Sequence, residues 1–390
     1  MHVPAISVSE RDLHDTYLPA YRAFQVANAS WHGGQGGRAE AIMCSYAAFD
    51  GIPSCANSRL LRDILRGEWG SDALVQSDCC DSISSIWNQH HYAPTLADAV
   101  AMATNAGTQL CFACGQTQIG AYQAALAAGQ LHESQLDADV ARMLLTRFRL
   151  GEFDPQHPFA NVDETIIDCP AHRALAREVA AASIVLAVNR GDMLPLRPGA
   201  HKAVAIIGPF ADCGDCYLHS YNGHPSYIIS YLDAVREVAG AQGASVAYAN
   251  GSNVSAAVAA AATADLVIVC LGLGSAVEAE GRDRHDLGFP PDQQQLLAAV
   301  REAAAGGRAA PLVLVSVSAG GVPVNTSLVD ALFYAGYGGQ EAGHGLTDVL
   351  WGAVSPSARL PVTVYAPDYV NQVGGMLDYN MTSGVGRTYR

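Results

Sequence analysis

The sequence contains very little positive charge. Lys202 is the only lysine, and the 22 Lys and Arg residues face 37 Asp and Glu, which leaves a formal net charge of −15. Binding to a nucleic-acid backbone or to an anionic membrane surface depends on clustered basic residues. We therefore expect neither nucleic acid nor membrane among the partners of this protein.

Long hydrophobic runs are also missing. The best apolar stretches, such as residues 264–273, have the length of a strand and fall short of the roughly 18 to 20 residues that cross a bilayer. Charged residues make up only 15% of the chain and hydrophobic residues 50%, which excludes disorder as the main state. The chain must fold, and its length of 390 residues predicts two or three domains.

Two features indicate secretion, although residues 1–10 have neither the basic segment nor the apolar stretch of a signal peptide. The 10 cysteines are many for a reducing cytosol. In addition, five of the 12 asparagines lie in N-x-Ser/Thr glycosylation sequons. These are Asn28, Asn250, Asn253, Asn325 and Asn380. We expect an extracellular glycoprotein whose true N-terminus, with its signal peptide, is absent from this sequence.

Residues 1–153 alternate short apolar strands with helices. Strands are predicted at 41–46, 73–77 and 107–112, and Ser9 caps a helix that precedes them. Such alternation produces parallel strands, and enzymes of this architecture carry their active residues at the carboxyl ends of the strands. A complete (β/α)8 barrel takes about 250 residues, so we expect only part of a barrel here.

A second α/β block follows a predicted linker at residues 154–170. Near-continuous apolar runs predict strands that are buried on both faces, as in a doubly wound sheet. The strands are predicted at 183–188, 203–207, 245–248, 266–271, 312–317 and 331–334. We therefore predict a doubly wound α/β sandwich domain over residues 171–365 and a C-terminal tail at 366–390.

Acidic residues at two places could carry chemistry. Asp78 directly follows the second strand, where catalytic groups lie in parallel-sheet enzymes, although an Asp that caps the next helix is an equally good interpretation. Glu278 and Glu280 lie beside two arginines after strand 266–271, in a loop whose charges could shift carboxyl pKa values or simply be solvated. Glycoside hydrolysis needs two carboxyl groups at one sugar. Asp78 and Glu280 would then have to meet across the interface of the two blocks.

Eight motifs occur in order along nearly the whole chain. They are SERDLHDTYLP (9–19), MCSY (43–46), GIPSCAN (51–57), DILRGEWG (63–70), SDC (77–79), RFRLGEFDP (147–155), EAEGRDR (278–284) and RLPVT (359–363). Together they resemble glycoside hydrolase family 3, on its β-xylosidase-like branch. The resemblance implies the C-terminal part of a TIM-type (β/α)8 barrel followed by a doubly wound α/β sandwich domain.

The resemblance also implies a function. It suggests a retaining, exo-acting β-glycosidase of the β-D-xylosidase type, which releases xylose from xylo-oligosaccharides in xylan breakdown and needs no metal or organic cofactor. Asp78 would be the nucleophile and Glu280 the acid/base, with Glu278 as the rival for that role. Tyr46 and Met43 would contribute to the sugar site, as would Glu278.

Some family features are missing from the chain. The Lys-His motif that the family carries upstream of Ser9 is absent, so we expect the first half of the barrel to be missing. The sequence also stops at Arg390, where related enzymes continue, so we expect their C-terminal fibronectin-like domain to be missing as well. An exposed barrel edge would favour self-association. The alternatives are a β-glucosidase, an α-L-arabinofuranosidase, or an inactive fragment that only binds carbohydrate or a partner. Cys79 favours a xylosidase, because many β-glucosidases of the family have Trp there.

The cysteine spacing offers several pairings. Cys44 and Cys55 flank one loop after the first strand and are the pair that we expect to form a disulfide beside the sugar site. Two Cys-x-x-Cys pairs, which begin at Cys111 and Cys213, have the spacing of zinc ligands, but disulfides fit a secreted chain better. For His90, in a loop before Tyr92, we expect a packed or solvated role rather than a catalytic one.

Overall fold

The computed structural model of the chain forms two compact units. Unit 1 comprises Met1–Asn161 with Gly375–Tyr379, and unit 2 comprises Val162–Gly374 with Asn380–Arg390. No helix in the described part of the chain is long and apolar enough to span a membrane. The structure describes residues 5–26, 39–79, 81–112, 114–157, 159–375, 378 and 380–388.

Unit 1 combines short strands with longer helices. Its strands are β1 Ala5–Ile6, β2 Ala41–Cys44, β3 Ala48–Phe49, β4 Ile52–Pro53 and β5 Leu74–Ser77. Its α-helices are α1 Glu10–Asp12, α2 Leu18–Gln25, α3 Asp81–Asn88, α4 Leu96–Ala106, α5 Gln116–Ala127 and α6 Glu133–Arg149. Wider π-helical segments occur at Leu13–Tyr17, which joins α1 to α2, and at Arg59–Glu68.

The strands of unit 1 pair in two small groups. β2 and β5 run parallel, with Cys44 opposite Ser77, and β3 pairs with both β1 and β4. The Ser9 hydroxyl accepts the Asp12 N–H at 3.2 Å, as expected of a cap. The apolar faces of β5, α3 and α4 enclose a core with fully buried side chains. Examples are Val75, Ile83, Ile86 and Val100.

The strand predicted at residues 107–112 is wrong. Within the described chain only Leu110 forms a bridge there, opposite Gln76. Gly107 adopts a left-handed φ of +111° that ends α4, which leaves little room for a strand before the next turn. The Phe112 N–H is taken by the Ser77 hydroxyl at 2.9 Å instead of by a strand carbonyl. A side chain thus ends the ladder after one bridge.

Unit 2 contains the longer strands. They are β6 Val185–Asn189, β7 Ala203–Ile207, β8 Ser245–Ala249, β9 Leu266–Gly272, β10 Leu312–Val317 and β11 Ala331–Tyr334. Its helices are α7 Pro170–Ala182, α8 Tyr231–Ala241, α9 Val254–Thr263, α10 Pro291–Gly306 and α11 Ala342–Leu350. The apolar runs of the sequence predicted all six strands to within two residues at each end.

The six strands form one sheet in the order β6-β11-β10-β9-β7-β8. All neighbours are parallel except β6, which is antiparallel to β11. Every residue of β9 and β10 is buried, because helices cover both faces of the sheet. Residues of α7, α8 and α11 pack on one face, and residues of α9 and α10 pack on the other. This arrangement confirms the doubly wound α/β domain.

Candidate active site

Asp78 stands at the carboxyl end of β5. Its backbone N–H donates to the Cys44 carbonyl at 3.2 Å, which holds the main chain at the strand end. The preceding Ser77 is fully buried, and its hydroxyl donates to the Cys79 carbonyl at 2.9 Å while it accepts the Phe112 N–H. The Asp78 side chain itself is half-buried. Asp78 therefore combines a fixed backbone with a partly exposed side chain.

Tyr46 lies in a loop that is tied down at several points. A disulfide joins Cys44 to Cys55 across this loop, with 5.1 Å between their Cα atoms, and both residues are buried. This is the pair favoured by the sequence. His90 Nε2 lies 2.8 Å from the Tyr46 carbonyl oxygen, which can only accept, so the imidazole donates. His90 thus positions the Tyr46 backbone, a role that sequence reasoning missed.

Met43 has apolar surroundings. Its side chain on β2 is 51% exposed and borders a cavity of about 210 Å³. The other lining residues include Leu13, Tyr17, Leu61 and Trp69. Contact with a sugar at Met43 would be by van der Waals packing, because a thioether is only a weak acceptor. Its role in substrate binding stays a prediction.

The second acidic loop lies at a special point of the unit 2 sheet. The strands that follow β7 in the chain, β8 and β9, lie on opposite sides of it. Ligands of doubly wound domains bind at such a reversal, in the crevice beyond the carboxyl ends of the two central strands. The loop that carries Glu278 and Glu280 leaves β9 at this crevice.

The carboxylate of Glu278 is occupied by structural partners. Its Oε1 accepts the Ala319 N–H at 2.6 Å and the Tyr337 hydroxyl at 2.7 Å, and Arg284 Nε lies 3.6 Å from Oε2. The side chain is only 13% exposed. Burial and the neighbouring Glu278 carboxylate raise the pKa of Tyr337, so this phenol keeps its proton and remains a donor. Glu278 thus connects its own loop to the segments that contain Ala319 and Tyr337.

Glu280 lies at the tip of a tight turn. Ala279 and Arg282 exchange both backbone hydrogen bonds, at 3.1 and 2.9 Å, which leaves Glu280 and Gly281 as the two turn residues. Gly281 has a φ of +71°, the left-handed value that the second turn residue requires. Glu280 is exposed, and its Oε2 accepts a hydrogen bond from the Tyr221 hydroxyl. The turn thus presents Glu280 to solvent.

The two arginines of the loop contribute mainly to its shape. One Arg282 nitrogen donates to the carbonyls of Ser275 and Ala276 at 3.1 and 3.2 Å, which closes the loop on itself. Arg284 reaches the Gly321 carbonyl at 3.5 Å as well as Glu278. The shape of the loop therefore gives the two acids different surroundings. Fixed hydrogen-bond donors hold the Glu278 carboxylate, whereas Glu280 is exposed to solvent.

The other Cys-x-x-Cys pairs and the sequons are also resolved. Cys111–Cys114 and Cys213–Cys216 are disulfides, and no described group of three or more His, Cys, Asp or Glu could hold a metal ion. Asn28 lies outside the described residues. The remaining sequon asparagines are exposed on unit 2, and they are Asn250, Asn253, Asn325 and Asn380.

The sequence of this chain matches two family models and several curated proteins. The model of the glycosyl hydrolase family 3 C-terminal domain matches residues 184–389, and that of the family 3 N-terminal domain matches residues 1–146. β-D-xylosidase 1 of Arabidopsis thaliana is 35% identical over 394 residues, which cover 98% of this chain and 49% of that protein. The chain thus spans about half the length of the curated relatives that it matches.

Solved structures agree with the sequence comparison. A family 3 exo-β-xylosidase, solved with a xylobiose aziridine probe, superposes with a TM-score of 0.82 at 28% identity, covering 97% of this chain and 48% of that one. A family 3 β-glucosidase of Bifidobacterium adolescentis gives 0.75 at 28% identity, with 98% and 52% covered. These matches confirm part of a barrel followed by an α/β sandwich. The chain belongs to glycoside hydrolase family 3.

Proposed function

We propose that this protein is a retaining, exo-acting β-glycosidase, and specifically a β-D-xylosidase that releases xylose from the non-reducing ends of xylo-oligosaccharides. The observation that carries the proposal is the contrast between its acidic side chains. Asp78 has a backbone fixed at a strand end, and Glu280 sits on a turn tip open to solvent. Family membership and the relative named β-D-xylosidase 1 support the choice of sugar.

The proposed mechanism assigns one role to each carboxyl group. Asp78 attacks the anomeric carbon and forms a covalent xylosyl ester, while protonated Glu280 gives its proton to the departing glycosidic oxygen. Ionised Glu280 then takes a proton from water, which attacks the ester and releases xylose with retained configuration and free Asp78. Glu278 is unsuited to this cycle, because its Oε1 already accepts the Ala319 N–H and the Tyr337 hydroxyl.

The test is turnover of three aryl glycosides, the β-xyloside, the β-glucoside and the α-L-arabinofuranoside, by folded protein. We expect the β-xyloside to be preferred. Asp78→Asn should lower kcat by at least about a thousandfold, and Glu280→Ala by about a hundredfold or more. Azide should rescue Glu280→Ala as the β-xylosyl azide. Glu302→Gln, an exposed acid on α10, is the matched control and should keep full activity.

A second measurement detects the intermediate directly. A 2-fluoroxyloside with a good leaving group should label Asp78, and Asp78→Asn should not be labelled. Folded protein that neither turns over any of the three glycosides nor takes the label would overturn the proposal in favour of a carbohydrate-binding or interaction role. Preference for the β-glucoside or the arabinofuranoside would keep the mechanism and replace the substrate.

We also infer that the protein is secreted and N-glycosylated. Among the described residues, three disulfides and four exposed sequon asparagines support this inference. The Oδ1 of each of these asparagines accepts a nearby backbone N–H, and that of Asn253 caps α9. Treatment with an N-glycosidase should lower the mass of protein made in its natural host, and an unchanged mass would contradict the inference.

A further inference from the structure

The segment between β7 and α8 reaches the acidic loop with two unusual residues. His219 and Tyr221 have φ values of +59° and +58°, in the left-handed region that side chains with a Cβ rarely adopt. Residues held in such conformations cluster at functional sites, where the surrounding structure over-determines them. The contacts of these two residues show what the conformation achieves.

Both residues touch the acidic loop of unit 2. His219 Nε2 donates to the Glu278 carbonyl at 2.6 Å, and the imidazole stacks on Tyr337 with ring centroids 4.3 Å apart. The Tyr221 hydroxyl donates to the Glu280 carboxylate. His219 therefore fixes the start of the loop, and Tyr221 contacts its exposed acid.

The segment is held in place around Tyr217, although Tyr221 is exposed. The Cys213–Cys216 disulfide closes a turn next to Tyr217, which is fully buried. The Tyr217 hydroxyl donates to the Phe210 carbonyl at 2.6 Å, and its ring packs edge-on against Tyr231 at 4.8 Å. Tyr221, four residues beyond, is 88% exposed. The buried Tyr217 thus fixes the segment whose exposed Tyr221 contacts Glu280.

We propose that Tyr221 is a positioning residue that orients the carboxyl group of Glu280 for proton transfer to the leaving-group oxygen. An exposed glutamate on a turn tip samples several rotamers, and one hydrogen bond from an anchored phenol reduces that freedom. Orientation of a catalytic group within hydrogen-bond reach is a condition of general acid catalysis. This inference rests on the proposed function, since it assigns Tyr221 to the same acid/base.

The leaving group distinguishes a positioning role from a structural one. Xylobiose needs a proton on the departing oxygen, whereas a dinitrophenolate departs without one. We expect Tyr221→Phe to lower kcat/KM for xylobiose by about tenfold and to change kcat/KM for dinitrophenyl β-xyloside less than about twofold, because kcat/KM reports the first step, before Glu280 acts as a base. Tyr227→Phe is the matched control, because the Tyr227 hydroxyl of the same segment donates to Glu341 instead.

Other outcomes would overturn the inference. Equal losses of kcat/KM on both substrates would indicate a structural role for Tyr221, and unchanged kcat/KM on both would show that the contact does not matter. Wild-type protein without turnover would contradict the proposed function instead. In that case the NMR shift of the Glu280 carboxyl carbon decides about the contact: it should move in Tyr221→Phe and not in Tyr227→Phe, and no movement would refute the contact.

Discussion

The two units of this chain differ in how far their strands pair. In unit 2, six strands share one sheet, and the central strands β9 and β10 are buried along their whole length. In the described part of unit 1, the longest ladder joins β2 to β5 over four residue pairs. Both units alternate strands with helices, so the alternation alone does not determine the extent of a sheet.

The loops that carry Asp78 and Glu280 also differ in how firmly the structure holds them. Asp78 follows a strand directly, and backbone and side-chain hydrogen bonds fix that strand end. Glu280 lies eight residues beyond β9, on a turn whose tip is exposed. A nucleophile must be held at a set distance from the anomeric carbon, whereas an acid/base must reach a leaving group and then a water. The difference between the loops matches the different roles that we propose for Asp78 and Glu280.

A substitution at Gly208 should destabilise unit 2 without affecting unit 1, and it has the largest effect that we expect. A Cβ at this position would lie 2.2 Å from the Cys270 carbonyl oxygen on β9, and its φ of +119° disfavours any side chain. Gly208→Ala should lower the free energy of unfolding of unit 2 by about 3 kcal/mol or more. Hydrogen exchange should then speed up at β9 and β10 and remain unchanged at β2 and β5.

Gly240→Ala is the control for Gly208→Ala. Gly240 lies inside α8, and a Cβ there would meet nothing within 4 Å. The change should stabilise unit 2 by about 0.5 to 1 kcal/mol, because alanine loses less backbone entropy in a helix. Equal effects of the two substitutions would contradict the packing seen between Gly208 and β9.

The Cys44–Cys55 disulfide should contribute more to the stability of unit 1 than the Cys213–Cys216 disulfide contributes to the stability of unit 2. It joins residues 11 apart in the chain, against three for Cys213–Cys216. A longer closed loop restricts the unfolded chain more. Replacing Cys44 and Cys55 by Ala should lower the stability of unit 1 by about 2 to 3 kcal/mol in urea unfolding, with a smaller loss for the Cys213/Cys216 pair. The reverse order would refute this ranking.

A smaller effect than that of the disulfides concerns the pH dependence of the stability of unit 1. Burial raises the pKa of Asp139 from 3.8 to about 6, against the opposing influence of Arg142, Arg62 and Arg66. An acid whose pKa is higher in the folded state stabilises the fold while protonated, and this stability is lost as pH rises from about 4 through 6. Asp139→Asn should therefore gain stability relative to wild type on going from pH 4 to pH 8.

The gain should be about 1 kcal/mol, because solvent screens this half-buried group. Thermal melts at both pH values measure it. Asp137→Asn, an exposed acid on the same helix α6, is the control and should show no such gain. A pH-independent difference between Asp139→Asn and wild type would contradict the burial of this carboxyl group.

Local sequence pattern was sufficient to predict the strands of unit 2. Strands such as β9 and β10 are continuous apolar runs, and such runs are stable only when buried on both faces. The helix cap at Ser9 also follows from neighbouring residues alone. The strand predicted at 107–112 failed because a distant hydroxyl, that of Ser77, takes the Phe112 N–H.

The sequence by itself therefore determined the family and the α/β class, since each depends on composition, periodicity or motifs of consecutive residues, and its motifs name the acidic residues that we propose to test. Only the tertiary structure showed that fixed donors hold Glu278 and that Glu280 is exposed. The partners that make the distinction, Tyr337 for Glu278 and Tyr221 for Glu280, each lie 59 residues away in the chain. Side-chain hydrogen bonds at that separation leave no local pattern, because only the folded chain brings donor and acceptor together.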